Sequence, residues 1–573
     1  MRGRLGADTF AATENRERTL SDRKEALAMS RTPLFRYLRR SLDLARVSLA
    51  TGESPAAVVE RYRAARISRR RFLGTSGAVV AGAALGCGKV REFRAKREPA
   101  KAEPREVAVV GAGIAGLTCA YRLHQAGVPV RVFEGQSRVG GRMWSLRGHF
   151  PENLVCELGG ELVDSNHEAL RAMCGELGLE LDDFEQDDSK LARDVWFFDG
   201  KRIKDAAVVE AFRPVAEQID AAWETVTGET ITYQEPNGGE AIDRMSIAQW
   251  LDQAGAEGWF RTLLDVAYTT EYGREIAEQS AWNFLMMIDS NPEPFRIFGE
   301  SDERFHIRGG NDQVPTKLAG LLSDRVETGT RLESLAQRAD GAYELALRRD
   351  QTSRTVVADR VLLAIPFTKL REVALDVDLP EVKRKAIAEL GYGTNAKLMV
   401  GFSERLWRTQ GGSNGSVLTD LPFQLTWEAT RLQPGGAGIL VCFTGGQRGI
   451  EIGEGTPAAQ SEKFARELER VFPGIDERRI GEARFHWPTF EWTKGSYACY
   501  LPGQWTTICG AEGERAGNLH FAGEHTSLDF QGFMEGGCET GERAAQEILV
   551  DLGLAQPEPE EKEEPAAAKA AAG

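Results

Sequence analysis

The chain has 573 residues, a formal net charge of −15 and a hydrophobic content of 42%. That acidic balance argues against a general nucleic-acid binder, and the apolar content is ample for a sizeable core. No uninterrupted apolar run reaches the roughly 18–20 residues that a spanning helix needs.

Residues 1–66 carry arginine-rich helical stretches such as FRYLRRSLDLARVSLA. SRRRFLG, from Ser68 to Gly74, matches the twin-arginine export signature, and the Ala/Gly/Val-rich GTSGAVVAGAALGCG that follows serves as a weakly apolar core of the signal. The expectation is a targeting region and linker over 1–104, with the signal near 68–87. Export through the twin-arginine machinery would take a folded, cofactor-loaded protein to the periplasm or beyond. The competing reading is a basic helix followed by a small-residue loop. Met29 offers a second start, and Ala84-Leu85-Gly86-Cys87 loosely resembles a lipoprotein box, which leaves membrane association open. The eight cysteines show no C-x-x-C pair and no clustering with histidine, so neither a metal site nor a disulfide framework is called for.

Val107–Val110 reads as a buried parallel strand. Gly111, Gly113 and Gly116 follow in G-x-G-x-x-G order, Ala115 to Gln125 continues with helical spacing, and a second apolar run from Val128 ends at Phe133-Glu134. Each part suits a dinucleotide. Gly111 permits the turn, Gly113 lets the backbone approach a pyrophosphate, and Gly116 allows close helix–strand packing. The helix start at Ala115 offers free N–H groups, and Glu134 can accept from ribose hydroxyls. The run continues as E-x-x-x-R-x-G-G-R through Gly140, Gly141 and Arg142. This continuation resembles the flavin amine oxidase family, which includes monoamine, polyamine and L-amino-acid oxidases. The resemblance implies FAD, with the paired glycines and Arg142 along the flavin side.

Further on, CELGGELVDSNH places Gly159-Gly160 where the backbone comes close to the flavin ring. Glu161 and Asp164 follow at once. They read either as a site for a cationic substrate or as a structural hydrogen-bond network, and His167 reads as a helix-start residue. DVWFFDGKRI is expected to form a hairpin. The helical stretch after it contains Tyr268, Tyr272 and Trp282, assigned to core packing ahead of a pocket. RFHIRGGNDQVPTKLAGLL resembles the family's second cofactor-domain segment, and the resemblance puts Leu332 beside adenine. Lys397 stands alone in an apolar strand, where a lysine ordinarily snorkels. The family keeps a lysine at this place, bonded through water to flavin N5. HWPTFEWTKGSYACYLPGQW matches the family's element at Trp487, Gly495, Tyr497, Pro502 and Gly503. NLHFAGEHTSLDFQGFMEGG is its most specific signature, with Gly523 and Glu524 at a strand end and Phe533-Met534 opening a helix toward the flavin.

Together these imply an α/β protein with a discontinuous Rossmann-like FAD-binding domain (105–190, 301–390 and 486–555). A second, α+β substrate-binding domain takes 191–300 and 391–485, and 556–573 form a disordered acidic tail. The implied activity is oxidation of the C–N bond of a primary amine or L-amino acid, with dioxygen reduced to hydrogen peroxide. Lys397, Tyr497 and Phe533 would be catalytic, the two aromatics framing the substrate with Glu161 and Asp164. Ser496 replaces the cysteine that tethers FAD in mammalian-type monoamine oxidases, so FAD is expected to be non-covalent. A homodimer stays open. The alternatives are a desaturase of the carotenoid or protoporphyrinogen type acting on C–C bonds, and a non-enzymatic FAD module acting on a protein partner. The set Lys397, Trp487 and Tyr497 argues against the first, and the absence of an added recruitment domain against the second.

Overall fold

The glycine turn sits at the end of the central strand of a five-stranded parallel sheet. The computed structural model describes residues 106–556, apart from 189, 229, 289 and 291–295. The twin-arginine signature and the acidic tail beyond 556 lie outside the described residues. In the sheet, Leu519–Phe521, Arg360–Leu363, Val107–Val110, Val130–Phe133 and Val326–Glu327 lie side by side in that order. Every neighbouring pair is parallel. Val107–Val110 is buried along its whole length, as a strand covered on both faces must be. The sheet thus draws on chain segments up to 414 positions apart in sequence, counted from Val107 to Phe521.

Two helices cover this sheet near the turn, Ile114–Gln125 and the C-terminal Met534–Asp551. Their closeness is set by glycine. A Cβ at Gly537 would meet Ile114 Cγ2 at 2.6 Å, and one at Gly541 would meet the Ala115 carbonyl oxygen at 2.4 Å. The last signature in the sequence therefore packs directly on the first.

A seven-stranded sheet takes Val195–Phe198, Lys201–Ile203 and five strands between Ala396 and His486. Its hairpin turns at Asp199 and Gly200, both with positive φ (52° and 72°), as a two-residue Asp-Gly turn demands. The strand Ala396–Phe402 is buried at all seven positions. Alternation sends Leu398, Val400 and Phe402 into one apolar cluster and Met399 into another on the opposite face. Lys397 shares the face of Met399. A four-stranded sheet over 330–376 completes the β-structure around the site. Helices fill 205–223, 258–272 and 281–287. No described helix is long and apolar enough to cross a membrane.

Candidate active site

A single cavity of about 600 Å³ collects the predicted site residues. All of them line it except Gly116 and Asp164. One end is the glycine turn. Gly111 has φ +105°, and a Cβ there would strike the Ala364 carbonyl oxygen at 2.4 Å. A Cβ on Gly113 would meet nothing within 4 Å. Its backbone borders open space, as close approach of a phosphate requires. A Cβ on Gly116 would lie 2.0 Å from the Gly111 carbonyl oxygen, so this glycine serves helix–strand packing and is correctly absent from the cavity wall.

Glu134 caps the neighbouring strand. Its two carboxylate oxygens accept from the backbone N–H groups of Ala112 (2.7 Å) and Gln136 (2.8 Å). Burial pushes its carboxyl above the ordinary range, and the two amides oppose that rise. The arrangement fixes the carboxylate while leaving lone pairs for ligand hydroxyls. Leu332, buried in its strand, lines the same cavity.

Arg142 and Glu524 form a second fixed point. Arg142 Nη1 donates to Glu524 Oε1 at 2.7 Å and to the Ser496 carbonyl at 2.9 Å. Glu524 Oε2 in turn accepts from Gly532 N at 2.9 Å and Ala498 N at 3.4 Å. Three motifs distant in sequence are locked by one carboxylate. Gly523 precedes it with φ +138°, a conformation suited to glycine.

Gly159 and Gly160 were expected to admit the flavin ring. The protein's own packing already requires both. A Cβ at Gly159 would lie 1.8 Å from the Arg142 carbonyl oxygen, and one at Gly160 would lie 2.7 Å from Met534 Cγ. Trp487 donates through Nε1 to the Leu158 carbonyl at 2.9 Å, joining the same strip to the seven-stranded sheet.

Lys397 does not snorkel. Its Nζ donates to the Gly159 carbonyl at 2.7 Å and to Glu161 Oε2 at 2.8 Å, with the side chain only 6% exposed. Trp427 Nε1 donates to the other Glu161 oxygen at 2.9 Å. The expectation that Glu161 grips substrate is thereby corrected, because both its oxygens are engaged within the protein. Asp164 is corrected as well. It lies behind the cavity wall, where its Oδ1 accepts from Glu303 N at 2.8 Å and its own N–H donates to His167 Nδ1 at 3.0 Å. Burial pushes the Asp164 carboxyl up to about 6 and the His167 imidazole down to about 3. His167 is neutral at physiological pH and packs edge-on against Phe533, with ring centroids 5.3 Å apart.

Tyr497 donates through its hydroxyl to the Glu271 carbonyl, and Gly532 lies against the Tyr497 ring, a Cβ there coming within 3.3 Å of Cδ2. Tyr497 and Phe533 are thus neighbours on the cavity wall. Tyr268 and Trp282 are fully buried and belong to the core, as expected, whereas Tyr272 lines the cavity. Missed altogether were Glu271, Phe298 and Glu303, which line it too. Glu271 had a readable signal. Phe260, Leu264 and Ala267 mark the buried stripe of helix Gly258–Tyr272, and Glu271 is the next position on it. Glu303 lies in a loop and had none.

The model of flavin-containing amine oxidoreductases matches residues 114–549. The chain belongs to that family. An amine oxidase (flavin-containing) of Danio rerio is 26% identical over 481 residues, covering 80% of this chain and 90% of that one. An L-amino acid dehydrogenase of Synechocystis is 23% identical over 462 residues, covering 77% and 94%. Cyclohexylamine oxidase from Brevibacterium oxydans superimposes with a TM-score of 0.69 at 22% identity, covering 78% of this chain and all of that chain (100%). That likeness shows the fold. The cofactor is FAD, and the residues present fit it. The Gly113 backbone faces open space, and two carboxylates, Glu134 and Glu524, are oriented by backbone amides at separate points of the cavity. As a family member the protein is an oxidoreductase acting on amines.

Proposed function

We propose that the protein is an oxidase of primary amines, using non-covalent FAD and producing hydrogen peroxide. FAD, when bound, would supply the two-electron acceptor for the C–N bond and the connection from it to dioxygen. The balance is amine, dioxygen and water giving a carbonyl compound, ammonia and hydrogen peroxide. Tyr497 and Phe533 shape the cavity for the neutral amine and exclude water from it. Neutral His167 holds Phe533 from behind. Lys397 places an ammonium on the cavity wall, held by Glu161 and the Gly159 carbonyl. A fixed cation there favours negative charge arriving on nearby acceptor atoms.

The observation that carries this reading is the joining of both aromatics, Lys397 and the two oriented carboxylates on one cavity. An amine is preferred to an amino acid for an electrostatic reason. Each cation on the cavity wall already has a carboxylate partner: Arg142 with Glu524, Lys397 with Glu161, Lys369 with Glu372 and Arg331 with Glu333. A substrate carboxylate would find no unpaired counter-ion among them. Non-covalent attachment is supported by Ser496, whose hydroxyl donates to Asn395 Oδ1, and by the lack of any cysteine on the described cavity wall. We also propose export by the twin-arginine route, on the strength of the SRRRFLG motif.

The decisive experiment is anaerobic mixing of the purified holoenzyme with amines and L-amino acids, followed by admission of air. Amines should bleach the flavin and release peroxide on reoxidation. Bleaching by L-amino acids alone would overturn the primary-amine assignment. Reoxidation without peroxide would overturn the oxidase assignment.

A further inference from the structure

Successive carbonyls from Glu157 to Glu161 each accept from a side chain. Lys397 Nζ donates to Glu157 O at 3.4 Å and to Gly159 O at 2.7 Å, and Trp487 Nε1 donates to Leu158 O at 2.9 Å. The last two share one amide. Asn311 Nδ2 donates to Gly160 O at 2.9 Å and to Glu161 O at 2.8 Å. Asn311 is fully buried and stands off the cavity wall. Its orientation is fixed, because its Oδ1 accepts from Ile307 N at 3.1 Å and its own N–H donates to Glu157 Oε1 at 2.9 Å. Exchanging the amide's oxygen and nitrogen would set an acceptor against two carbonyls.

A peptide unit is planar, and in the trans form its C=O and N–H point in opposite directions. With the Gly160 and Glu161 carbonyls turned back to Asn311, the N–H groups of Glu161 and Leu162 turn the other way. Gly160, Glu161 and Leu162 line the cavity. On either side of the pair, Gly160 N donates to Arg142 O at 3.1 Å and Val163 N to Phe305 O at 2.8 Å. The Glu161 and Leu162 N–H groups have no partner among the described residues. Leaving two adjacent backbone donors empty is costly. Consecutive N–H groups facing one way form a concavity suited to an acceptor oxygen.

The neutral amine of the reading above brings no such oxygen, whereas FAD does. The strip is also bolted to the parts that would hold FAD. Its Gly160 bonds to Arg142 and abuts Met534, the first residue of the C-terminal helix that packs on the glycine turn. We propose that the Glu161 and Leu162 amides, turned into the cavity by Asn311, bind an oxygen at the polar edge of the flavin ring and hold the negative charge that the ring gains on reduction. The ring gains one such charge when it takes up two electrons and one proton. Donors fixed in advance favour that reduced form over the oxidised one. Glu161 thus serves twice, its carboxylate on Lys397 and its backbone on the cofactor. Asn311 is a positioning residue, acting through two peptide units. The inference rests on FAD as the cofactor and is independent of the substrate.

The test measures FAD binding and the two-electron potential of the wild type and of the variants Asn311→Leu and Asn311→Ser. Apoprotein is titrated with FAD by fluorescence, and the potential of each holoprotein is read against a reference dye. Asn311→Leu should weaken reduced FAD at least tenfold more than oxidised FAD, which lowers the potential by about 30 mV or more. Asn311→Ser keeps one donor and should fall between. Circular dichroism of the apoproteins reports folding, and Asn311→Ser carries the test if the leucine variant does not fold. A merely structural asparagine would weaken both forms of FAD alike and leave the potential unmoved, and that result would overturn the proposal. An unmoved potential with a raised KM for L-amino acids alone would also overturn it, giving the amides to a substrate carboxylate. No amine enters the binding and potential measurements, so their outcome is separate from that of the turnover experiment.

Discussion

A lysine ammonium and a carboxylate buried 2.8 Å apart, as Lys397 and Glu161 are, cannot be altered singly without leaving a bare charge behind. Lys397→Met should therefore lower stability by about 3–5 kcal/mol in denaturant unfolding. Lys397→Met combined with Glu161→Gln should recover most of that loss. Rapid mixing of the reduced double variant with oxygen then isolates the electrostatic role, because reoxidation should stay slow when stability has returned. Wild-type reoxidation in the double variant would remove Lys397 from the oxidative step. Glu271 gives a pH signature. Burial, then the Asp164 charge, pushes its carboxyl up to about 7. A folded-state value above the unfolded one means that the stabilising contribution is complete below the unfolded value, near 4.3, and is lost as pH rises through the folded one. Glu271→Gln should thus melt with wild type at pH 4 and above it at pH 9 in ligand-free thermal scans. A constant difference across that range would contradict the assigned shift.

The glycine turn and the C-terminal helix make separable predictions. Gly113→Ala points a methyl into open space and has an ordinary φ of −74°. It should leave apoprotein stability within about 0.5 kcal/mol of wild type while weakening FAD binding roughly tenfold or more. Gly116→Ala would drive a methyl to 2.0 Å from the Gly111 carbonyl oxygen, so it should destabilise the apoprotein as well. Equal apoprotein melting of the two variants would show that the division of labour between these glycines is wrong. This division was legible in the sequence, because glycine spacing between a strand and a helix dictates it. So were the parallel strand, the Asp-Gly hairpin and the strand bearing Lys397. The Lys397–Glu161 bond was not, because it joins a strand residue to a loop residue 236 positions away in sequence. Glu161 looked free for substrate only because its partners come from other elements. Asp164 misled for the same reason: a short acidic motif does not say which of its carboxylates turns toward a cavity. Glu303 was invisible, since its exposure to the cavity depends on a backbone twist in a loop.

At the scale of the whole molecule, the site is closed by ties between segments distant in sequence. Arg142 reaches Ser496 and Glu524, Lys397 reaches Gly159, and Trp487 reaches Leu158. Cofactor binding and folding should accordingly be linked, with FAD raising the melting temperature of the entire unit in a concentration-dependent way. Export in the folded state fits such a molecule. Replacing Arg69 and Arg70 with lysine should keep active enzyme in the cytoplasm, and unchanged export by cell fractionation would dismiss the route. One further consequence comes from the cysteines. All seven in the described residues are free thiols and buried. Burial raises Cys174 and Cys499 to about 12, and Cys119, Cys156, Cys442 and Cys538 shift the same way. The thiolate is the form that oxidants attack, and almost none is present. If peroxide is the product, as proposed, these thiols should not be where it inactivates the protein, and thiol titration before and after prolonged turnover should give the same count.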